Sequence, residues 1–181
     1  MKKFELTNEF VTNMFGTKLF RIRALVEFGD VEAGELGGYV EKESNLGHDD
    51  NAWVYGNAQV SGDARVYGNA RVYGNAWVYG DAQVSGDARV CGDARVCGNG
   101  DYAYAHGFGS VNRTTTFFRL KDGGVGVRCG CFYGTLAQFR DKIRETHGET
   151  KKAQEYLMLA DLMELRFEED ENEVGNRKYV E

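Results

Sequence analysis

NAWVYGNAQVSGDARVYGNARVYGNAWVYGDAQVSGDARVCGDARVCGN occupies residues 51–99 and restates one six-residue phrase, Ala-x-Val-x-Gly-(Asn/Asp), without a gap. The valines of the phrase are Val54, Val60, Val66, Val72, Val78, Val84, Val90 and Val96. Each alanine precedes its valine by two residues, so on an extended backbone both point to one side and the residue after each points to the other. Glycine with Asn or Asp then supplies the residues best able to take a sharp or left-handed corner. Every hexad is thus one short strand and one corner. A six-residue period of this kind predicts a parallel β-helix, three hexads closing a triangular coil of roughly 18 residues with valine stacked on valine inside.

The outward positions carry the chemistry. After the alanines stand Trp53, Gln59, Arg65, Arg71, Trp77, Gln83, Arg89 and Arg95; after the valines stand Tyr55, Ser61, Tyr67, Tyr73, Tyr79, Ser85, Cys91 and Cys97. Trp, Tyr and Arg are enriched at interface hot spots and also stack on nucleic-acid bases. Trp53, Tyr55, Arg65, Tyr67, Arg71, Tyr73, Trp77, Tyr79, Arg89 and Arg95 are therefore the candidate binding residues. Ordinary cross-coil ladders of strand-compatible side chains explain the same pattern. Residues 51–71 recur almost unchanged as 75–95. That shift is one coil plus one face, so Trp53 and Trp77 are expected on neighbouring faces.

The hexad tract resembles hexapeptide-repeat proteins, whose coil is left-handed. The resemblance extends to the lead-in, FRIRALVEFGDVEAGELGGYVEKESNLGHDDNAWVYGNA, which is similar to bacterial and prophage hexapeptide-repeat proteins labelled as transferases. The expected fold is mainly β: a short left-handed parallel β-helix (51–99), an N-terminal β-hairpin cap (1–50), a C-terminal ββαα module (100–167) and an acidic mobile tail (168–181). In the cap, Phe10 to Phe15 and Leu19 to Leu25 flank a turn at Gly16-Thr17. Arg21 and Arg23 share a strand face, as an anion contact or as exposed edge charges.

Beyond the repeat, TTTFFRL and VGVRCGCF flank Lys-Asp-Gly-Gly, a hairpin signal. Thr135 with Gln138 forms a capping box, and Leu136, Phe139 and Ile143 line one face of the helix that follows. Gly148 ends it, and a second helix from about Lys151 to Arg166 carries Ala153, Tyr156, Leu157, Ala160, Met163 and Phe167 at helical spacing. Cys129 and Cys131 stand in an apparent strand, on one face.

The net charge of −6 argues against a dedicated sequence-blind DNA binder. No run approaches a membrane span, and MKKFELTNEF has no signal-like apolar core, which predicts a cytoplasmic protein with reduced thiols. No zinc-ligand spacing occurs, so no metal or other cofactor is expected.

The left-handed hexapeptide fold hosts many acyltransferases; for those enzymes the resemblance implies a trimer and a coil-borne histidine as general base, and a dimer is equally open for this chain. Here no histidine lies between residues 52 and 99. His106 is the one placed to serve if the chain is an enzyme, with Asp101 or Asp122 to orient it; His147 suits a helix C-terminus. The favoured reading is a non-enzymatic binding protein with a protein partner and a possible DNA contact. The stretch TTTFFRLKDGGVGVRCGCFYGTLAQFR is similar to proteins carried by phages and prophages, and the whole is similar in size and acidity to anti-CRISPR inhibitors of Cas9. The expected partner is then a basic nucleic-acid-binding nuclease. The alternatives are a thioester-dependent acyltransferase and a structural spacer or oligomerisation module.

Overall fold

The computed structural model describes residues 2–168. All but the first residue of the expected acidic tail lies outside them.

The alternation of small apolar and polar residues at 51–99 builds a parallel β-solenoid of about three turns. Each hexad contributes a two-residue strand: β4 (Trp53–Val54), β5 (Gln59–Val60), β6 (Arg65–Val66), β7 (Arg71–Val72), β8 (Trp77–Val78), β9 (Gln83–Val84), β10 (Arg89–Val90) and β11 (Arg95–Val96). Strands three hexads apart pair in parallel, valine on valine: Val54 on Val72 on Val90, Val60 on Val78 on Val96, and Val66 on Val84. The backbone ladder runs between successive coils, as in Trp53 N to Ala70 O at 3.1 Å and Tyr55 N to Val72 O at 2.8 Å. All eight of these valines and the alanines that precede them are fully buried. A buried valine contributes roughly 1.5–3 kcal/mol, so the stack is the main source of cohesion.

The corners require glycine for two reasons. Gly68 has a φ of +73°, and a Cβ there would meet the backbone nitrogen of Gly86 in the next coil at 2.9 Å. A side chain would be both strained and in collision.

The N-terminal segment forms β1 (Phe4–Thr12), β2 (Lys18–Ala24) and β3 (Leu36–Val40). The hairpin turn is longer than expected: β1 stops at Thr12 because the Asn13 carboxamide oxygen accepts from the nitrogens of Phe15 and Thr17, both at 3.0 Å. The expected cap boundary at residue 50 falls inside the stack. Tyr39 and Val40 of β3 already pair in parallel with Gln59 and Val60, and Leu46 bridges to Val66. The solenoid therefore starts before the hexads become legible, with a longer corner at 47–50. Its three faces are β3-β5-β8-β11, Leu46-β6-β9, and β4-β7-β10.

Four strands precede the two C-terminal helices. The expected hairpin is β13 (Arg113–Arg119) and β14 (Val125–Cys129); β12 (Tyr102–Phe108) and β15 (Phe132–Thr135) add to its two edges. Helices α1 (Leu136–His147) and α2 (Lys151–Phe167) cover one side of this sheet, and Arg140 ties them together through Asp161 and Glu164, each at 2.7 Å. The other side plugs the solenoid. Strand alternation decides which residue goes where: Phe117 packs with the helices, Phe118 with the last coil. Thr116 Oγ1 accepts from Arg89 N at 3.0 Å, locking sheet to coil. Cys129 and Cys131 do not share a face: Gly130, at φ +59°, turns the chain, leaving Cys129 buried and Cys131 exposed. No helix among the described residues is long and apolar enough to cross a membrane.

Candidate functional site

The ten candidate binding residues are dealt among three faces. Arg65 and Tyr67 lie on the second face. Trp77, Tyr79 and Arg95 lie on the first, and Trp53, Tyr55, Arg71, Tyr73 and Arg89 on the third. Trp53 and Trp77 stand on neighbouring faces, as the shifted duplication requires. They differ in exposure.

Trp53 is not available to a partner. Its outward side chain is fully buried, with Phe28 edge-on at 5.4 Å and Phe4 at 6.2 Å. The cap folds over the first coil because the open end of a solenoid must be covered. Lys3 clips this cover in place: its ammonium donates to the carbonyls of Asp50 and Ala52, both at 2.9 Å, and to the Asp50 carboxylate at 3.2 Å. Burial lowers the Lys3 pKa, with Asp50 opposing the shift. Cys91 is likewise outward in the strand and buried, here under the C-terminal sheet, and burial pushes its thiol pKa up.

On the first face, Arg95 lies over the Trp77 ring at 4.0 Å and donates to the carbonyls of Asn75 and Ala94. On the second, Arg65 lies near the Tyr67 ring at 6.0 Å. Arg21 and Arg23 on the cap are engaged by Glu9 and Glu5 across the hairpin, so both balance edge carboxylates.

The third face forms a site. Arg71 and Arg89 stand opposite each other in the parallel register, about 4.8 Å apart along the stack. Two hollows share them as a common wall. The outer, of about 440 Å³, is closed by His106, Asn112, Arg113 and Thr114 from β12–β13. The inner, of about 320 Å³, is lined by Asp30, Tyr55, Tyr73 and Arg128.

Asp30 of the cap holds Arg71 at 2.6 Å and accepts from the Tyr55 hydroxyl at 3.2 Å. Partial burial opposes the Asp30 carboxylate, but the Arg71 charge and these hydrogen bonds prevail and lower its pKa. Burial raises the Tyr55 phenol to about 12 and holds Tyr73 well above its ordinary range. The Arg128 guanidinium sits over the Tyr73 ring at 5.7 Å, and its Nε is buried without a hydrogen-bond partner. Arg89 and Arg113 make no ion pair among the described residues. Asp87, the other carboxylate at the rim, accepts from the Asn69 amide at 3.0 Å.

The outer wall is built rigidly. Val111 and Asn112 both have positive φ, 55° and 48°, which is uncommon for a β-branched residue. Helix α2 anchors the loop: the Glu155 carboxylate accepts from Gly109 N at 2.8 Å and the Tyr156 hydroxyl from Ser110 N at 3.1 Å. The Arg113 guanidinium then packs over Gly130, where any Cβ would overlap it.

His106 has Thr114 Oγ1 as its partner at 2.9 Å. Neither expected carboxylate orients it. Asp101 is buried and accepts from Cys97 N and Gly98 N, while Asp122 accepts from Gly124 N within its own turn. His147 stacks on Tyr156 at 5.9 Å. His48 stacks on Phe4 at 4.4 Å and accepts from Lys3 N.

Sequence reasoning missed Asp30, Arg113 and Arg128. Arg128 alternates with the buried Val127 and Cys129, a signal that placed it on the sheet's opposite side but not against the solenoid. Asp30 lies in an irregular stretch with no such signal.

Fold and site together define a β-solenoid repeat protein with a cationic cleft between coil and C-terminal sheet. The chain is similar to the YdcK beta solenoid repeat, whose family model matches residues 58–71, 64–80 and 82–98. The matches lie within the hexad tract. No curated protein matches the chain.

Proposed function

We propose that the protein is a non-enzymatic binder of phage or mobile-element origin that inhibits a nucleic-acid-cutting enzyme of host defence in the cytoplasm, with Cas9 as the specific target. One observation carries the reading. A chain of net charge −6 gathers Arg71, Arg89, Arg113 and Arg128 around one cleft on rigid strands. An acidic body complements the basic channel of such an enzyme, while the cleft complements the nucleic acid held there. Side chains already fixed on strands lose little freedom on binding. The resemblance to phage-borne inhibitors supports the choice of target.

The test is a cleavage assay with purified Cas9, guide RNA and target DNA, combined with capture of the nuclease by the tagged protein before and after nucleic-acid digestion. The expected result is salt-sensitive capture that survives digestion, together with slower cleavage. His106→Ala is expected to leave both unchanged. Undiminished cleavage and no capture would sink the reading. Thioester hydrolysis or acyl transfer abolished by His106→Ala would replace it with the enzyme.

A further inference from the structure

The geometry points to the third-face cleft as a nucleotide site: a phosphate held by Arg89 and Arg113 in the outer hollow, and a base against Tyr55 in the inner. This rests on the binding reading above and names the ligand chemistry of the same site.

Like charges directly opposite on neighbouring strands destabilise a sheet, and Arg71 sits directly opposite Arg89. Asp30 relieves the first of the pair and leaves the second. Arg113 approaches from the β12–β13 side and adds a further guanidinium, without an ion pair among the described residues, to the hollow that Arg89 lines, where the guanidinium groups of Arg71, Arg89 and Arg113 outnumber the single carboxylate of Asp87. Arg89 and Arg113 are both exposed, and crowding like charges at one opening still favours an anion that accepts from several guanidinium donors at once. A phosphate does this with its peripheral oxygens.

The inner hollow has a different character. Tyr55 and Tyr73 occupy equivalent places one coil apart, both half-buried; Arg128 lies over the Tyr73 ring, whereas no cation lies over the Tyr55 ring among the described residues. Aromatic faces beside a basic groove are the recurring solution for nucleotide units, since every base has a π-face. The order phosphate, shared arginine wall, aromatic floor matches one nucleotide. It can come free in solution or as part of a single strand.

The experiment uses the full purified chain and a fluorescent oligothymidylate, read by anisotropy over a salt series, with thymidine monophosphate and inorganic phosphate as competitors. Saturable binding is expected, weakened about tenfold by Arg89→Glu and by Arg113→Glu. Each lost phosphate contact should lower the slope of log affinity against log salt by about 0.7. Arg144→Glu, on the exposed side of α1, is expected to change neither. Arg89→Gln and circular dichroism separate lost charge from lost fold. Tyr55→Ala should weaken the strand and the mononucleotide but spare inorganic phosphate. Competition by the mononucleotide at the strand's own affinity identifies a free nucleotide as the ligand; much weaker competition identifies the strand.

Absence of saturable binding to either, or equal losses from Arg144→Glu and Arg89→Glu, would overturn the site. If nuclease capture persists in digested extract while the oligonucleotide does not bind, this inference fails and the binding reading stands. Oligonucleotide binding without nuclease capture gives the reverse.

Discussion

The first and third faces of the solenoid are made from the same phrase and carry the same residue types, yet one is closed on itself and the other is open. On the first, the register places Arg95 opposite Trp77, and the guanidinium lies over the indole at 4.0 Å. On the third, the same register places Arg89 opposite Arg71. A cation over an aromatic face is satisfied; a cation opposite a cation asks for an anion. The difference follows from duplication by four hexads in a prism of three faces. The copied decorations arrive one face round and meet new neighbours. Binding capacity in such a repeat belongs to the residues stacked between coils, not to those adjacent in sequence.

Val72 lies fully buried in the middle of the third face's stack, between Val54 and Val90. Val72→Asp puts an unpaired carboxylate into that stack and is expected to cost about 4 kcal/mol or more, among the largest single-site effects. Because the three faces share one core, both the open and the closed face should fail together. Urea unfolding would show a lowered midpoint for every probe; a loss confined to third-face probes would mean that the faces are independent.

A smaller change tests whether the first face is closed. Arg95→Ala removes the cover from Trp77 and the two hydrogen bonds that its Nη1 donates to backbone carbonyls. It is expected to cost about 1 kcal/mol of stability. Oligonucleotide affinity should stay as in the unaltered chain, since Arg95 is outside the cleft. A fall in affinity comparable to that of Arg89→Glu would show that the first face also binds.

The period and the deal of residues among faces are both legible in the sequence, since a strand's inside and outside alternate and coils repeat after three hexads. What the local pattern does not carry is which outward positions the ends cover. Trp53 has the same neighbours in sequence as Trp77, and its burial depends on Phe4 and Phe28, brought back by the cap. Nor does the pattern show that Tyr39 and Leu46 already continue the stack, because the longer corner at 47–50 interrupts the phase. The cleft was half legible for the same reason. Arg71 and Arg89 belong to the repeat, whereas Arg113, Arg128 and Asp30 reach it from elements that show no period in common with it.

The last contrast lies within the third face and is electrostatic. Burial raises the Tyr55 phenol to about 12, with Arg71 opposing the shift and Asp30 reinforcing it. In the unfolded chain a tyrosine ionises near 10. Between those values the folded protein keeps a proton that the unfolded chain has released, so stability falls as the pH rises through that window and is fully present below it. Lys3 acts in the opposite sense. Its folded value is depressed, so the unfolded chain binds more protons and stability rises with pH up to the ordinary lysine range, near 10.4. The two contributions separate by position: Asp30→Asn removes the charge that reinforces the Tyr55 shift and leaves the Lys3 clip untouched. The ultraviolet difference spectrum of the folded variant should therefore show Tyr55 ionising at lower pH than in the unaltered chain, and its urea midpoint should fall less between about pH 10 and about pH 12. An unchanged spectrum would mean that Asp30 does not act on Tyr55 as the 3.2 Å hydrogen bond requires. The same substitution frees Arg71 to join Arg89 in seeking an anion, so tighter oligonucleotide binding should accompany the spectral shift, tying the charge balance of the cleft to its affinity.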